Sequence, residues 1–271
     1  MPELPEVEVT RRGIAPDLVG RRLTSADFRV PALRYPLPQG ERGQFVGQIL
    51  TSVERRGKYL LLDFGTGNLL IHLGMSGSLR LLPAHTLPEK HDHVDLIFDR
   101  TLLLRLRDPR RFGAMLWIPG PAARHPLLDV LGVEPLTEEF NPSWLKDELR
   151  GLKAAIKPTL MDGHRVVGIG NIYASESLFR AGIDPRTPAG KISTRRLSRL
   201  VPVIKETLAA AIEAGGSSLR DFIHSDGSSG YFQQQYFVYG RTGAACRVCA
   251  RPIKELRQGQ RASFFCAHCQ K

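Results

Sequence analysis

The sequence lacks the features that mark membrane and secreted proteins. No stretch approaches the roughly 18 uninterrupted apolar residues of a membrane-spanning helix, and residues 1–8 are acidic, unlike a signal peptide. Internal repeats and low-complexity segments are also absent. With 42% hydrophobic and 24% charged residues the composition is globular, and 271 residues suit more than one domain. We therefore expect a soluble chain that stays in the cytoplasm and has no membrane partner.

Acidic residues are scarce near the C-terminal end. The chain has 38 Lys and Arg residues against 27 Asp and Glu, but residues 241–271 hold seven of the former and one of the latter. This segment therefore contributes more than half of the net charge of +11. Such a basic patch favours a partner that carries phosphates. The alternative is a solvated surface whose charge only maintains solubility.

Cysteine is absent from residues 1–245, which excludes a cysteine nucleophile there. The four cysteines, Cys246, Cys249, Cys266 and Cys269, form two C-x-x-C pairs separated by 16 residues. This spacing is typical of a zinc ribbon, in which four thiolates close a tetrahedral shell. Two disulfides are the alternative, which the reducing interior of a cell disfavours. We predict one structural Zn²⁺ ion.

The pattern of apolar residues predicts an α+β multidomain chain. Residues 5–19 have the 3–4 residue spacing of a helix, whereas short apolar runs at 59–64 with 68–73 and 93–98 with 101–106 predict two hairpins. Many strands without intervening helices favour an antiparallel sandwich or barrel. Further helices are predicted at 142–150, 152–160, 171–181, 193–214 and 218–224. The predicted domains are 1–134, 135–240 and 241–271.

Seven short motifs follow one another from the first residue to the last. They lie at residues 1–13, 56–59, 72–77, 90–95, 108–113, 170–176 and 260–263. In composition and order they resemble the motifs of the bacterial formamidopyrimidine-DNA glycosylases, base-excision enzymes that remove oxidised purines such as 8-oxoguanine. The resemblance implies an N-terminal helix with an antiparallel β-sandwich. A helix–two-turn–helix domain and a C-terminal zinc-finger hairpin would follow it.

The resemblance also implies which residues carry the chemistry. Pro2 would be the nucleophile once Met1 is removed, because a terminal amine titrates near pH 7.7–8.0, against about 10.4 for lysine. Glu3 would be the general acid and base at the deoxyribose, and Lys58 a proton donor near the lesion. Arg261 would be the finger arginine that contacts phosphate and assists the second elimination of strand cleavage. Glu6 better fits an acid that stabilises the helix start.

A second set of residues would hold the DNA. A base must leave the stack before it reacts at C1′, so the enzyme must fill the space that the base vacates. By resemblance, Met75 and Phe112 fill that space, and Arg110 contacts the orphaned cytosine. The phosphate and DNA contacts implied are His91, Lys153, Lys157 and Asn171. Asn171 follows two glycines at a helix start, where free N–H groups bind anions, although an Asn at that position is also an ordinary N-cap.

Two other functions are compatible with parts of this pattern. The related endonuclease VIII group, which prefers oxidised pyrimidines, shares the proline, the glutamate and the finger. Its opening typically has Gly where Leu4 stands, and it lacks a pair similar to Arg110 and Phe112. A catalytically silent zinc-finger module that only binds DNA is the other alternative. Residues 217–239 correspond to the loop that covers the flipped purine, and a monomer is the expected state.

Overall fold

The computed structural model describes residues 1–217 and 232–271. These form two compact units, one of Met1–Val130 with residues 214–217, the other of Leu131–Glu213 with Phe232–Lys271. The helix predicted at 218–224 and most of the predicted purine-covering loop lie outside the described residues. The division into three domains stays a prediction. Among the described residues, no helix combines the length and apolar character that crossing a bilayer requires.

The first unit is a helix followed by two four-stranded antiparallel sheets, as the sequence predicted. The helices are α1 (Leu4–Leu18), α2 (Arg42–Phe45) and α3 (Pro126–Asp129). The strands are β1 (Leu23–Phe28), β2 (Ser52–Arg56), β3 (Tyr59–Asp63), β4 (Gly67–His72), β5 (Ser78–Pro83), β6 (Asp92–Phe98), β7 (Leu102–Arg107) and β8 (Ala114–Pro119). One sheet has the strand order β1-β6-β7-β5 and the other β2-β3-β4-β8.

The core of this unit lies between the two sheets. Alternate residues of β3, such as Leu60 and Leu62, join one apolar cluster with Leu96 of β6 and Leu104 of β7. Because successive side chains of a strand point to opposite faces, this alternation places one face of each sheet against the other. The α1 residue Ile14 belongs to the same cluster, so the helix packs on the sandwich through one apolar stripe.

The second unit is mainly helical and ends in a two-stranded hairpin. Its helices are α4 (Pro142–Glu148), α5 (Ile156–Leu160), α6 (Asn171–Arg180) and α7 (Thr194–Glu213), and its strands are β9 (Lys254–Gln258) and β10 (Arg261–Phe265). The prediction of a helix over 152–160 was too long, because residues 152–155 bond to another segment. Ala189 N donates to Ala154 O and Gly190 N to Leu152 O, at 2.8 and 3.0 Å. These long-range bonds replace the first turn of the predicted helix.

A buried ion pair joins β6 and β7 and supports the segment that leads to His91. Arg105 donates from Nε to Asp95 Oδ1 and from Nη2 to Oδ2, both at 2.8 Å, and also binds the carbonyl oxygens of Thr86 and Leu87. Burial raises the pKa of Asp95, but the hydrogen bonds from Arg105 and Arg29 outweigh it and lower the net pKa. The ionised pair therefore stabilises the fold above the ordinary carboxyl pKa and loses this contribution as the pH falls below it.

We expect Asp95→Asn to lower the free energy of unfolding by about 3 kcal/mol at pH 7, because the buried Arg105 would lose the carboxylate that binds two of its nitrogens and keep only Asp92, whose Oδ2 lies 3.4 Å from Nη1. Urea titration at pH 7 measures the change. The control is Asp27→Asn, which removes a carboxylate from the exposed residue paired with Asp95 in β1 and should cost less than about 0.5 kcal/mol. Equal costs for the two variants would contradict a stabilising role for the pair.

Candidate active site

The predicted nucleophile and its neighbouring acid lie at the buried start of α1. Pro2 and Glu3 are both buried, and Glu3 is the residue at which the backbone turns from extended into helical. The carboxylate of Glu6 accepts hydrogen bonds from Glu3 N and from Ser217 N, each at 2.8 Å. Glu6 therefore holds the N-terminal end of the helix and Ser217, the last described residue before 218–231. From the sequence, Glu6 better fitted an acid that stabilises the helix start, and the resemblance also allowed it a role in the site.

Lys58 is the second residue of the two-residue turn between β2 and β3, and its neighbour Tyr59 pairs with His72 at the end of β4. Its charge acts on His72, whose ring lies 4.9 Å from that of Tyr59. Burial, followed by the positive charges of Lys58 and Arg34, lowers the pKa of His72 to about 4. The imidazole is therefore neutral at pH 7, and its Nδ1 accepts a hydrogen bond from Gly74 N at 2.9 Å. His72 thus fixes the start of the loop that carries Met75.

The two residues predicted to fill the space left by the flipped base, Met75 and Phe112, and the predicted cytosine contact, Arg110, lie on two loops of the first unit. Phe112 is 47% exposed and Arg110 is exposed, with its guanidinium carbon 4.8 Å from the centre of the Phe112 ring. Met75 is half-buried. The two loops approach so closely that a Cβ on Gly74, whose φ is +62°, would lie 2.4 Å from the Phe112 carbonyl carbon. Only glycine fits there.

Lys157 differs from its predicted role as a direct DNA contact, because it is only 1% exposed. Its ammonium donates to Asn171 Oδ1 at 2.6 Å, to Ala262 O at 2.8 Å and to Ser263 Oγ at 2.8 Å. A lysine has three protons to donate, and these acceptors use all of them. Lys157 therefore joins α5, the start of α6 and β10 within the second unit.

This arrangement orients two other predicted DNA contacts. The amide oxygen of Asn171 is occupied by Lys157, which leaves Nδ2, a donor suited to a phosphate oxygen. Asn171 is the first residue of α6, and Gly170 is the N-cap, so the alternative of Asn171 as an ordinary N-cap does not apply. Arg261 is exposed at the first position of β10, directly after the turn that includes Gly259. The adjacent residue, Ala262, is the one whose carbonyl Lys157 holds.

The remaining predicted contacts are less constrained. Lys153 is exposed ahead of α5. His91 is half-buried, with a left-handed φ of +76°.

Glu176, a buried residue of α6 for which the sequence suggested no role, accepts three backbone hydrogen bonds from Phe237, Val238 and Tyr239 at 2.8–3.0 Å. It anchors the chain before the finger. The signal for it in the sequence was that it is the single acidic residue of α6.

The four cysteines are arranged as a tetrahedral zinc site requires. Their sulfur atoms all lie within 4.8 Å of one another, with separations of 3.9 Å between Cys246 and Cys269 and 3.5 Å between Cys249 and Cys266. Four sulfurs each about 2.3 Å from a tetrahedral zinc lie about 3.8 Å apart. The site is closed by its four thiolates, so it takes one structural zinc ion.

Three family models together match most of the chain. Residues 1–115 match the formamidopyrimidine-DNA glycosylase N-terminal domain, residues 131–223 the formamidopyrimidine-DNA glycosylase H2TH domain, and residues 243–271 a zinc finger found in FPG and IleRS. The chain is 59% identical to the formamidopyrimidine-DNA glycosylase of Aromatoleum aromaticum, with both chains covered completely. The chain belongs to the formamidopyrimidine-DNA glycosylase family.

Other members of the family are similar to this chain in sequence and fold over nearly their full lengths. The formamidopyrimidine-DNA glycosylase of Paraburkholderia phymatum is 56% identical, with both chains covered completely. The MutM (Fpg) protein of Thermus thermophilus has a TM-score of 0.89 and 37% identity, covering 99% of this chain and 98% of that one. Lactococcus lactis Fpg in complex with abasic-site DNA has a TM-score of 0.91 and 34% identity, covering 99% of each.

The low pKa of His72 predicts a pH-dependent stability. As the pH falls from 6.5 towards 4, the unfolded chain binds a proton on His72 that the folded chain does not, so stability decreases in this window. Between pH 7 and 4.5 we expect this group to account for a loss of about 2–3 kcal/mol, at about 1.4 kcal/mol per pKa unit. In His72→Gln, whose amide oxygen also accepts from Gly74 N, urea titrations at pH 7 and 4.5 should show a smaller difference. His85→Gln, at an exposed position, should behave as wild type.

We predict that the four cysteines of the finger bind one zinc ion per chain. Atomic absorption on purified protein measures this occupancy. We expect Cys269→Ser to lower zinc occupancy and weaken DNA binding, because a structural site lost from a small hairpin leaves it without a sufficient core. His268→Ala tests the neighbouring exposed imidazole, which lies outside the cluster, and should keep both properties. Full zinc occupancy in Cys269→Ser would contradict the four-thiolate site.

Proposed function

We propose that Pro2, freed of Met1, is the nucleophile with which this DNA glycosylase of base excision repair removes oxidised purines. Its nitrogen forms a bond to deoxyribose C1′ as the bond to the purine breaks. Glu3 protonates the ring oxygen, and the open sugar remains attached to Pro2 as a cationic iminium, which withdraws electrons for elimination. Successive β- and δ-elimination then break the bonds to the 3′ and 5′ phosphates, which leaves a one-nucleotide gap with phosphate ends.

The observation that carries this proposal is the construction of the α1 start. Pro2 and Glu3 are adjacent, so both groups reach one sugar, and the Glu6 carboxylate fixes the backbone between them by its 2.8 Å bond to Glu3 N. A helix start held in this way presents the amine and the acid in one geometry before DNA arrives. Such preorganisation lowers the entropic cost of the reaction.

The DNA would be held by residues on both units. We assign proton donation near the lesion to Lys58 and a DNA contact to His91. Arg110 contacts the orphaned cytosine, and Met75 and Phe112 fill the vacated space. Asn171, Lys153 and Arg261 are assigned to phosphates, with Arg261 also assisting the second elimination. Lys157 supports them by orienting Asn171 and β10. Because these contacts displace counter-ions, affinity should fall steeply with salt. The zinc ion shapes the finger and takes no part in the chemistry.

The setting of this activity follows from the family. We propose that the chain works as a monomer in the bacterial cytoplasm, on chromosomal DNA. The predicted segments 1–134, 135–240 and 241–271 would supply catalysis, DNA binding with lesion recognition, and the phosphate-contacting finger. Double-stranded DNA that contains oxidised purines, such as 8-oxoguanine or formamidopyrimidines, is the substrate.

Borohydride trapping on a duplex with 8-oxoguanine opposite cytosine tests the nucleophile. The wild-type protein should give a covalent adduct, because borohydride reduces the iminium to a stable amine. Pro2→Gly should weaken trapping severely and Glu3→Gln should suppress it, by roughly 100-fold or more if each supplies an ordinary acid–base or nucleophilic contribution. Mass spectrometry should find the adduct on a chain that begins at Pro2.

Matched controls lie in the same helix. Pro16→Gly and Asp17→Asn change exposed residues of α1 and should trap as wild type does. A protein that retains Met1 yet excises damaged guanine at full rate would overturn the proposal. Better trapping on thymine glycol would favour an endonuclease VIII-like activity, and DNA binding without any adduct would favour a silent module.

A further inference from the structure

A buried aspartate connects three of the loops that carry the proposed DNA contacts, two through its carboxylate and one through its main chain. Asp108 directly follows β7 and is completely buried. Its Oδ1 accepts a hydrogen bond from Ser76 Oγ at 2.8 Å, and its Oδ2 accepts one from Gly113 N at 2.7 Å. Ser76 is the neighbour of Met75, and Gly113 is the neighbour of Phe112. One carboxylate therefore holds both loops.

The Ser76 hydroxyl links the same loops a second time. It donates to Asp108 and also accepts from Arg110 N at 3.2 Å, so its proton and one lone pair are both used. Ser76 is itself buried. A buried hydroxyl bonded on both sides has a fixed orientation. The backbone of Arg110 is thus fixed relative to the residue that carries Met75.

The main chain of Asp108 adds the third loop. Its N–H donates to His91 O at 3.0 Å, while its carbonyl accepts from Arg111 N at 3.2 Å. The carbonyl also contacts His93 Nε2 at 3.0 Å. Burial lowers the pKa of His93, so the ring is neutral at pH 7, and it must carry its proton on Nε2 to donate to a carbonyl.

The loops held by Asp108 have backbone conformations that do not persist without support. His91 and Arg111 have φ values of +76° and +55°, in the left-handed region that non-glycine residues rarely adopt. Each makes a backbone hydrogen bond to Asp108. Strained residues of this kind remain only where the surrounding structure determines them.

We propose that Asp108 and Ser76 are positioning residues that hold Met75, Arg110 and Phe112 as one preformed wedge. The wedge is then ordered before DNA binds, so its insertion into the vacated space has little ordering cost. This inference rests on the proposed function, because it assumes that the three side chains fill the stack. Neither Asp108 nor Ser76 contacts the reacting sugar in this scheme.

The wedge matters most when a base has to leave the stack. Ser76→Ala should therefore lower single-turnover excision of 8-oxoguanine opposite cytosine by roughly tenfold or more, which is the usual effect of a hydrogen bond to a charged group. Strand cleavage at a preformed abasic site needs no base eviction, and it should fall less than about threefold on the same reasoning. In stopped-flow experiments, 2-aminopurine next to the lesion should show slower insertion.

Variants at neighbouring positions separate positioning from general damage. Ser78→Ala removes a hydroxyl from a second buried serine, whose side chain bonds to neither loop in the described part of the chain, and both rates should remain those of wild type. Ser76→Thr keeps the hydroxyl and should restore excision. If Ser76→Ala does not fold, Ser76→Cys, with a similar volume and a weaker donor, should show the same selective loss.

The outcomes distinguish this inference from the proposed function. Equal losses on the two substrates in Ser76→Ala, or no loss on either, would overturn the wedge while leaving the glycosylase in place. Failure of the wild-type protein to excise 8-oxoguanine would overturn the proposed function itself. A selective loss of excision in Ser76→Ala that is absent in Ser76→Thr supports both the wedge and the proposed function.

Discussion

A buried ionisable side chain must be satisfied by hydrogen bonds, and four such side chains connect distant segments of this protein. Asp108, Glu6, Lys157 and Glu176 are each at most 2% exposed. Each bonds to a residue distant in sequence, which is Ser76 for Asp108, Ser217 for Glu6, Ala262 for Lys157 and Val238 for Glu176. Separating one of these segments from its partner would leave a buried charged or polar group without hydrogen bonds, which costs several kcal/mol for a charge. This cost of desolvation therefore keeps the loops and the helix start in place.

In the first unit, the proposed DNA contacts lie on loops that the β-sandwich supports. Leucine-rich strands close the core between the sheets, and the loops at their ends carry Met75, His91 and Phe112. Exposed side chains on such loops can approach DNA, whereas regular strands would bury them. The close contact of Gly74 with the Phe112 backbone leaves no space for a side chain. The packing of the sandwich therefore fixes the positions of the loop residues that the proposed function uses.

In the second unit, a metal site replaces the large core that a short hairpin cannot build. The cluster around Cys246 and Cys266 includes only a few apolar side chains, such as Val238 and Ile253, so the zinc ion supplies much of the local stability. The hairpin then presents Arg261 from a two-residue turn with little freedom. Lys157 connects this hairpin to the start of α6, so Asn171 and the β10 backbone next to Arg261 share one support.

The amino-acid sequence by itself determined the elements, the zinc ligands and the family, because periodicity, cysteine spacing and motif order are local properties of the chain. It identified α1, the two predicted hairpins β3–β4 and β6–β7, and four of the helices of the second unit to within a few residues. The burial of Lys157, the late start of α5 and the roles of Glu6, Ser76 and Asp108 depended on the tertiary structure. In each case the deciding hydrogen bond joins segments far apart in sequence, as with Glu6 and Ser217. Local patterns do not encode such partners, and only the folded chain brings them within 3 Å of each other.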